Sequence, residues 1–379
     1  MTPYGGLAFF CVLTVVLIPA AVLGLLGKST RGYGILATAA LLLAVFDSWT
    51  ARVTLLAFWA LETGLCCGYV RLQRRCGQLW LLLVFLSLSI APLLAVKLGG
   101  LFPRLRLFSL LGISYMSFRA VQVLLDCYDG HLKSVNLLDF SYFLLFAPSV
   151  SAGPLDRYRR FTEDLHSVPG REAYAVLLRD GVWKLATGAF YNFCLGNLIW
   201  NLWIARLPES GFLPTLSYLY GYTLFMFFNF AGYSRMAVGT AYLLGVRLPD
   251  NFNRPFLAAD LKDFWARWHI SLSTWLRDYV YTRFCMTALR GKWFRGKRTA
   301  SYLGYFLTMT LMGIWHGLSL HFLIYGCYHG VLMGVNEALD TRWKRFKKLK
   351  KRPVPRVIMG IITCHLFGVG LLIFSGRFF

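Results

Sequence analysis

His316 lies in Leu311-Met312-Gly313-Ile314-Trp315-His316-Gly317, an otherwise apolar stretch. A second histidine stands forty-seven residues earlier among aromatic residues, in Phe264-Trp265-Ala266-Arg267-Trp268-His269. An ionisable side chain in hydrocarbon is costly, so such groups tend to face a cavity or pathway and to mark function. The bland alternative is a neutral imidazole that ties two helices together by a hydrogen bond. What a buried imidazole offers chemically is proton transfer: burial disfavours its charged form and leaves one ring nitrogen a lone pair, the state a general base needs. Zinc fits less well, because it asks for at least three protein ligands. His316 and His321 are five apart, about 140° around an α-helix, and no Cys-x-x-Cys pair or Cys/His zinc spacing occurs. The nine cysteines fall mostly in apolar stretches and read as small apolar residues, not as a disulfide framework.

These histidines must be positioned by elements that live in a membrane. Of 379 residues 57% are hydrophobic and only 15% charged, and the mean hydropathy is +0.54, which excludes an ordinary soluble core. Leu7 to Leu26 carries no charge, is long enough to cross a bilayer, and lacks the preceding basic residues of a cleavable signal peptide, so it is expected to be a retained first helix. Further spans are expected at about Tyr33 to Phe46, Leu55 to Val70, Leu79 to Val96, Phe108 to Leu125, Leu137 to Val150, Leu185 to Trp203, Phe212 to Phe230, Ala300 to Trp315, His321 to Val335 and Val357 to Phe374. Several are short enough to be broken or re-entrant. The expected architecture is an all-α integral membrane protein of about eleven membrane helices with short interfacial and re-entrant helices. No internal repeat, N-x-[ST] sequon or low-complexity linker divides residues 1–379, so one integral membrane domain is expected.

The net charge of +23 is concentrated. Arg157 to Lys184 holds six basic residues, Arg283 to Arg298 six and Arg342 to Arg356 nine, over half of the 40. The positive-inside rule makes these loops cytoplasmic, together with Lys28/Arg31 and Arg71/Arg74/Arg75, and puts the N-terminus outside, although strict alternation of the spans does not satisfy every assignment. The run Trp343 to Arg352 has the charge to bind nucleic acid, but beside a membrane span it meets anionic headgroups or an acidic protein, and no nucleic-acid partner is expected. Gly24-Leu25-Leu26-Gly27-Lys28-Ser29 imitates the end of a phosphate-binding loop, yet Val22 occupies the first required glycine position. It reads better as the cytoplasmic end of the first helix.

Asp260 to Phe284 is the densest segment. Phe264, Trp268, Trp275 and Tyr279 recur at steps of four, seven and four, and Asp263 stands four before Arg267. That spacing predicts a helix with one aromatic face lying at, or dipping below, a membrane interface.

Phe264 to Tyr281, followed by Gly313-Ile314-Trp315-His316-Gly317, resembles the membrane-bound O-acyltransferases. Supporting stretches are Ser117 to Ala120, Ser151 to Phe161, Asn229 to Ser234 and Leu248 to Phe256, so the resemblance runs from about residue 110 to the C-terminus. Gly153-Pro154-Leu155-Asp156-Arg157-Tyr158-Arg159-Arg160-Phe161 makes the chain most similar to the DltB-type branch, which transfers D-alanine in lipoteichoic acid biosynthesis, ahead of the branch that acetylates alginate.

The resemblance implies a helical bundle around a central tunnel and no tightly bound cofactor or metal. His316 matches the catalytic histidine and His269 the second signature histidine of the same tunnel. A D-alanyl carrier protein (DltC-like) would present the acyl group on its phosphopantetheine arm, and the acceptor would be (lipo)teichoic acid at the outer face of a Gram-positive plasma membrane. DltD-like and small DltX-like helpers are further implied partners. A thioester is already activated, so the protein must chiefly position it, exclude water and remove a proton from the attacking oxygen. His316 would then be the base and His269 would orient the thioester or stabilise the oxyanion, a role worth on the order of 3 kcal/mol. Trp265, Trp268, Trp315, Ser271, Arg277 and Asp278 are expected to line the tunnel, with plain packing as the competing role of the tryptophans. Carriers of this type are acidic, which would place docking on Arg283, Arg290, Lys292, Arg295, Lys297 and Arg298, with Tyr281, Phe284 and Met286 as its apolar centre. A channel or transporter that relays protons is the alternative of another class; it predicts inverted repeats, and none is visible.

Overall fold

The computed structural model describes residues 1–73, 78–102, 104 and 108–379. The described residues are predominantly helical, without a β-strand; one isolated bridge pairs Phe252 with Trp268. The chain forms two compact units, residues 1–190 with 232–249, and residues 191–231 with 250–379.

The first unit contains α1 (Leu7–Leu25), α2 (Arg31–Val45), α3 (Trp49–Gln73), α4 (Leu79–Leu101), α5 (Ile113–Tyr128), α6 (Leu137–Leu145), α7 (Tyr158–His166) and α8 (Arg171–Ala189). α1 ends as a left-handed glycine cap should: Gly27 has φ +66°, Gly27 N donates to Gly24 O and Lys28 N to Leu23 O, at 2.9 Å each. The Gly24–Ser29 segment is therefore a helix terminus.

Arg119, in α5, explains one of the motifs. It is only 2% exposed, and its guanidinium donates to Phe143 O (3.1 Å), Leu144 O (3.0 Å) and both Ser149 O and Ser149 Oγ (2.6 Å each). Those carbonyls include the last ones of α6, which no helical N–H can reach, so a buried cation serves as the cap of a neighbouring helix. The Ser151–Phe161 motif extends this junction. Gln122 donates to Asp156 O at 2.9 Å, the Asp156 carboxylate accepts from Arg160 Nε at 2.8 Å, and Phe161 packs edge-on against Phe143 and Phe146. Both motifs build the first unit.

The second unit begins with a π-helical turn (Phe190–Gly196, its first residue still in the first unit), α9 (Asn197–Leu202) and the first part of α10 (Phe212–Leu243), whose last part belongs to the first unit. Then follow α11 (Leu261–Trp265), α12 (Ile270–Leu276), a π-helical turn (Arg277–Tyr281), α13 (Thr282–Arg290), α14 (Lys297–His316), α15 (Leu320–Arg342), α16 (Lys344–Leu349) and α17 (Pro353–Phe374).

Four described helices are long and apolar enough to cross a membrane: α1, α3, α4 and α17. The expected count of about eleven spans is not reached by that measure; α8, α10, α14 and α15 are as long but more polar, and Leu185 to Trp203 divides into the end of α8, the π turn and α9. Arg74 and Arg75, expected to be cytoplasmic, lie outside the described residues.

Asp260–Phe284 corrects one expectation. It is not one helix: α11 stops at Trp265, and His269 adopts the left-handed region at φ +46°. The competing force comes from elsewhere in the chain. Asn253 N donates to Arg267 O (2.9 Å), Ile270 N to Asn251 O (3.0 Å) and Ser271 N to Asn251 Oδ1 (3.1 Å), so residues 251–253 take the groups that a continuous helix would have paired internally.

Candidate functional site

The site is assembled from α11, α12, α14 and α15. α14 and α15 form a tight antiparallel pair, because glycines let the backbones touch. A Cβ on Gly313 would lie 2.3 Å from Phe322 O, one on Gly326 2.7 Å from Met309 O, and one on Gly330 2.9 Å from Phe306 Cα. His316 is the last residue of α14, just before the turn Gly317–Ser319. It is partly exposed, and its ring is framed by Trp315 (4.7 Å between centroids), Phe374 (5.0 Å), Phe322 and Tyr325 (6.2 Å each).

His269 is buried at the start of α12, edge-on to Phe230 at 4.6 Å, and close enough to His316 for the two rings to interact electrostatically. Its Nδ1 has no hydrogen-bond partner within the protein. The Leu248–Phe256 motif acts locally here, since Asn251 fixes the turn that presents His269.

A cavity of about 340 Å³ lies in the same unit. α11 contributes Lys262 and Trp265, α12 and the π turn contribute Ser273, Arg277 and Tyr281, α14 contributes Tyr305, Thr308, Met309 and Met312, and α15 contributes Met333. On α14 the residues 305, 308, 309 and 312 form one stripe at helical spacing, and the next position on that stripe is His316, about 6 Å further along the axis. The cavity therefore follows the helix face that ends in the histidine.

Trp265, Arg277 and Tyr281 are thus brought together on this wall. Trp268 instead packs among Phe252, Phe264 and Phe367, Trp315 sits against His316, and Ser271 is buried with its backbone N on Asn251. Asp278 accepts from Arg277 Nε at 2.8 Å. Of the expected docking residues, Met286, Arg290, Lys292 and Arg295 are exposed along α13 and the loop after it, Arg283 and Phe284 are half-buried, Lys297 opens α14, and Arg298, its second residue, is exposed.

At one end of the cavity Lys262 bonds Glu337 and lies 3.5 Å from Asp340. Lys350, from the C-terminal basic run, bonds Asp260 and Asp340. Burial pulls the Lys262 ammonium down, but the hydrogen bond and charge of Glu337, with Asp340, outweigh it and hold the group above the ordinary lysine value. Asp260 also caps α11, accepting from Asp263 N at 2.8 Å. Among the described residues no three of His, Cys, Asp and Glu converge as metal ligands would.

One residue escaped the sequence reading. His329 of α15 is 0% exposed, and neither of its ring nitrogens has a partner within the protein. It meets Trp265 edge-on at 5.2 Å and Tyr325 at 4.7 Å, and Tyr325 in turn meets His316. A signal was present: Tyr328-His329-Gly330 repeats the aromatic-His-Gly pattern of Trp315-His316-Gly317.

The chain belongs to the membrane-bound O-acyltransferase family, which it matches over residues 48–375. Among its relatives, a teichoic acid D-alanyltransferase of Bacillus subtilis (strain 168) is 38% identical over 100% of this chain and 98% of its own length. One of the same name from Streptococcus thermophilus is 32% identical over 99% of this chain and 95% of its own. A probable alginate O-acetylase AlgI of Pseudomonas syringae pv. tomato is 32% identical over 88% of this chain and 65% of its own.

Proposed function

We propose that the chain, acting as a single domain over residues 1–379, is a multi-pass plasma-membrane acyltransferase. It moves D-alanine from the phosphopantetheine thioester of a DltC-like carrier to a hydroxyl of (lipo)teichoic acid, directly or through DltD-like and DltX-like partners, in a Gram-positive cell with the N-terminus outside. The observation that carries this reading is the α14 stripe that walls the cavity and runs on to His316, with His269 near enough for the two rings to feel each other's charge. The full-length similarity to teichoic acid D-alanyltransferases supports the choice of acyl group.

In this reading His316 takes the proton of the acceptor hydroxyl as its oxygen attacks the thioester carbonyl. His269 donates to the oxyanion that forms, the C–S bond breaks as the tetrahedral carbon collapses, and the sulfur leaves as a thiol, receiving the proton from His316. Trp265, Arg277 and Tyr281 wall the donor arm, while Trp268, Trp315, Ser271 and Asp278 support their neighbours outside the cavity.

The test uses purified protein in liposomes with acceptor polymer and carrier loaded with labelled D-alanine or acetate. Transfer of D-alanine alone supports the reading. Preferential use of acetate would favour polysaccharide O-acetylation, as the AlgI similarity suggests, and use of neither would reopen the transporter alternative.

Docking on the basic surface gives a second expected outcome. The triple reversal Arg290→Glu/Lys292→Glu/Arg295→Glu should raise KM for the carrier at least tenfold at low salt with little change in kcat, and flatten its salt dependence, because exposed charges steer encounter and are screened by ions. An unchanged KM would move the dock elsewhere.

A further inference from the structure

Beyond Trp265 the cavity wall on α14 and α15 is largely apolar, with Met309 and Met312 on α14 and Met333 on α15. Two polar groups stand out, one on this wall and one packed directly behind it. Trp265 lines the cavity, is 5% exposed, and its buried indole N–H has no acceptor within the protein. His329, one turn before Met333 on α15, is fully buried with both ring nitrogens unpartnered, and its ring meets Trp265 edge-on at 5.2 Å. Space has been kept for it: a Cβ on Gly370 of α17 would lie 2.3 Å from His329 Nε2.

A buried donor or acceptor left unpaired is costly, and two in contact at one cavity wall call for a ligand that satisfies both. The pair is complementary. The indole can only donate, whereas a neutral imidazole offers a lone pair. A secondary amide presents the matching C=O and N–H, and it too is costly to move from water into a methionine-walled cavity unless it is paired there.

We propose that Trp265 Nε1 and His329 form the hydrogen-bonding station for an amide of the donor's pantetheine arm, the indole donating to the amide oxygen and the imidazole accepting from the amide nitrogen. This rests on the thioester-donor reading above and deepens it. His329 is then a specificity-determining residue for the arm, distinct from the histidines placed at the reacting carbonyl.

The test needs no mutation to begin. Carrier protein is loaded with D-alanine on the native arm, or on arms in which each amide in turn is replaced by an ester, which deletes the N–H and keeps the shape. With wild-type protein in liposomes, one of the two replacements should raise KM about tenfold with kcat nearly unchanged, the cost of one lost hydrogen bond in a buried site. In His329→Phe the native arm should already show that rise, and the sensitive replacement should cost nothing more. Trp265→Phe, which removes only the N–H donor, should raise KM similarly. Equal KM for all three arms in wild type overturns the proposal and leaves the acyltransfer reading intact. So does an arm replacement that costs as much in His329→Phe as in wild type. Failure of wild type to use even the native arm defeats the acyltransfer reading, and the proposal with it.

Discussion

His316→Ala should lower acyl transfer by about 10²- to 10⁴-fold in protein that remains folded, the range for removing a positioned general base. The position argues for a large effect and an intact fold. The residue ends α14, so its loss interrupts no helix, and its ring is partly exposed within an aromatic frame that can stand without it. The informative comparison is with His269→Ala, which removes the proposed oxyanion donor and should cost about 10²- to 10³-fold. In the proposed mechanism both rings serve one transition state, so the double variant should fall well short of the product of the single losses. The measurement is D-alanyl transfer in liposomes, with thermal unfolding as the control for folding. Less than tenfold loss in folded His316→Ala would remove it from the role of base.

Arg119→Met should cost about 3–5 kcal/mol of stability, read as a fall in unfolding temperature in detergent or as failure to purify. The guanidinium holds four acceptors around the end of α6, and no water can replace it at a site 2% exposed. Methionine fills the volume of the stem but leaves those carbonyls bare. Arg119→Lys should rescue little, because a single ammonium cannot reproduce the planar fork that reaches Phe143, Leu144 and Ser149 together. An unchanged unfolding temperature for Arg119→Met would mean that the α5–α6 junction is satisfied in another way.

Legibility in the sequence followed the range of the forces involved. α1, α3, α4 and α17 were plain, since a long uncharged apolar run has few alternatives. α10, expected to end at Phe230, runs on to Leu243. Its last stretch is less apolar, but Gly239 rests directly on the backbone of α8, with its would-be Cβ 2.5 Å from Gly181 O, and no local hydropathy measures that contact. The break at Ala266–His269 was hidden for a related reason: the aromatic spacing obeys a helical period, while the turn is imposed by Asn251 and Asn253. His316 and His269 could be read because their neighbours repeat a family pattern. His329 sits in a helix whose aromatic and aliphatic residues look like core, and only its unpartnered nitrogens set it apart.

The left-handed backbone of His269 sets stability against activity at one position. A side chain with a Cβ at φ +46° carries strain that glycine would not, of order 1 kcal/mol. Glycine at 269 would therefore relax the turn as it deleted the imidazole, and asparagine, the next most tolerant residue there, would do the same in part. A search for hardier variants that scored folding alone would be drawn to this position and would return a sturdier protein with an impaired site. In the proposed mechanism the imidazole is what the strained position is kept for, at the expense of a more relaxed turn.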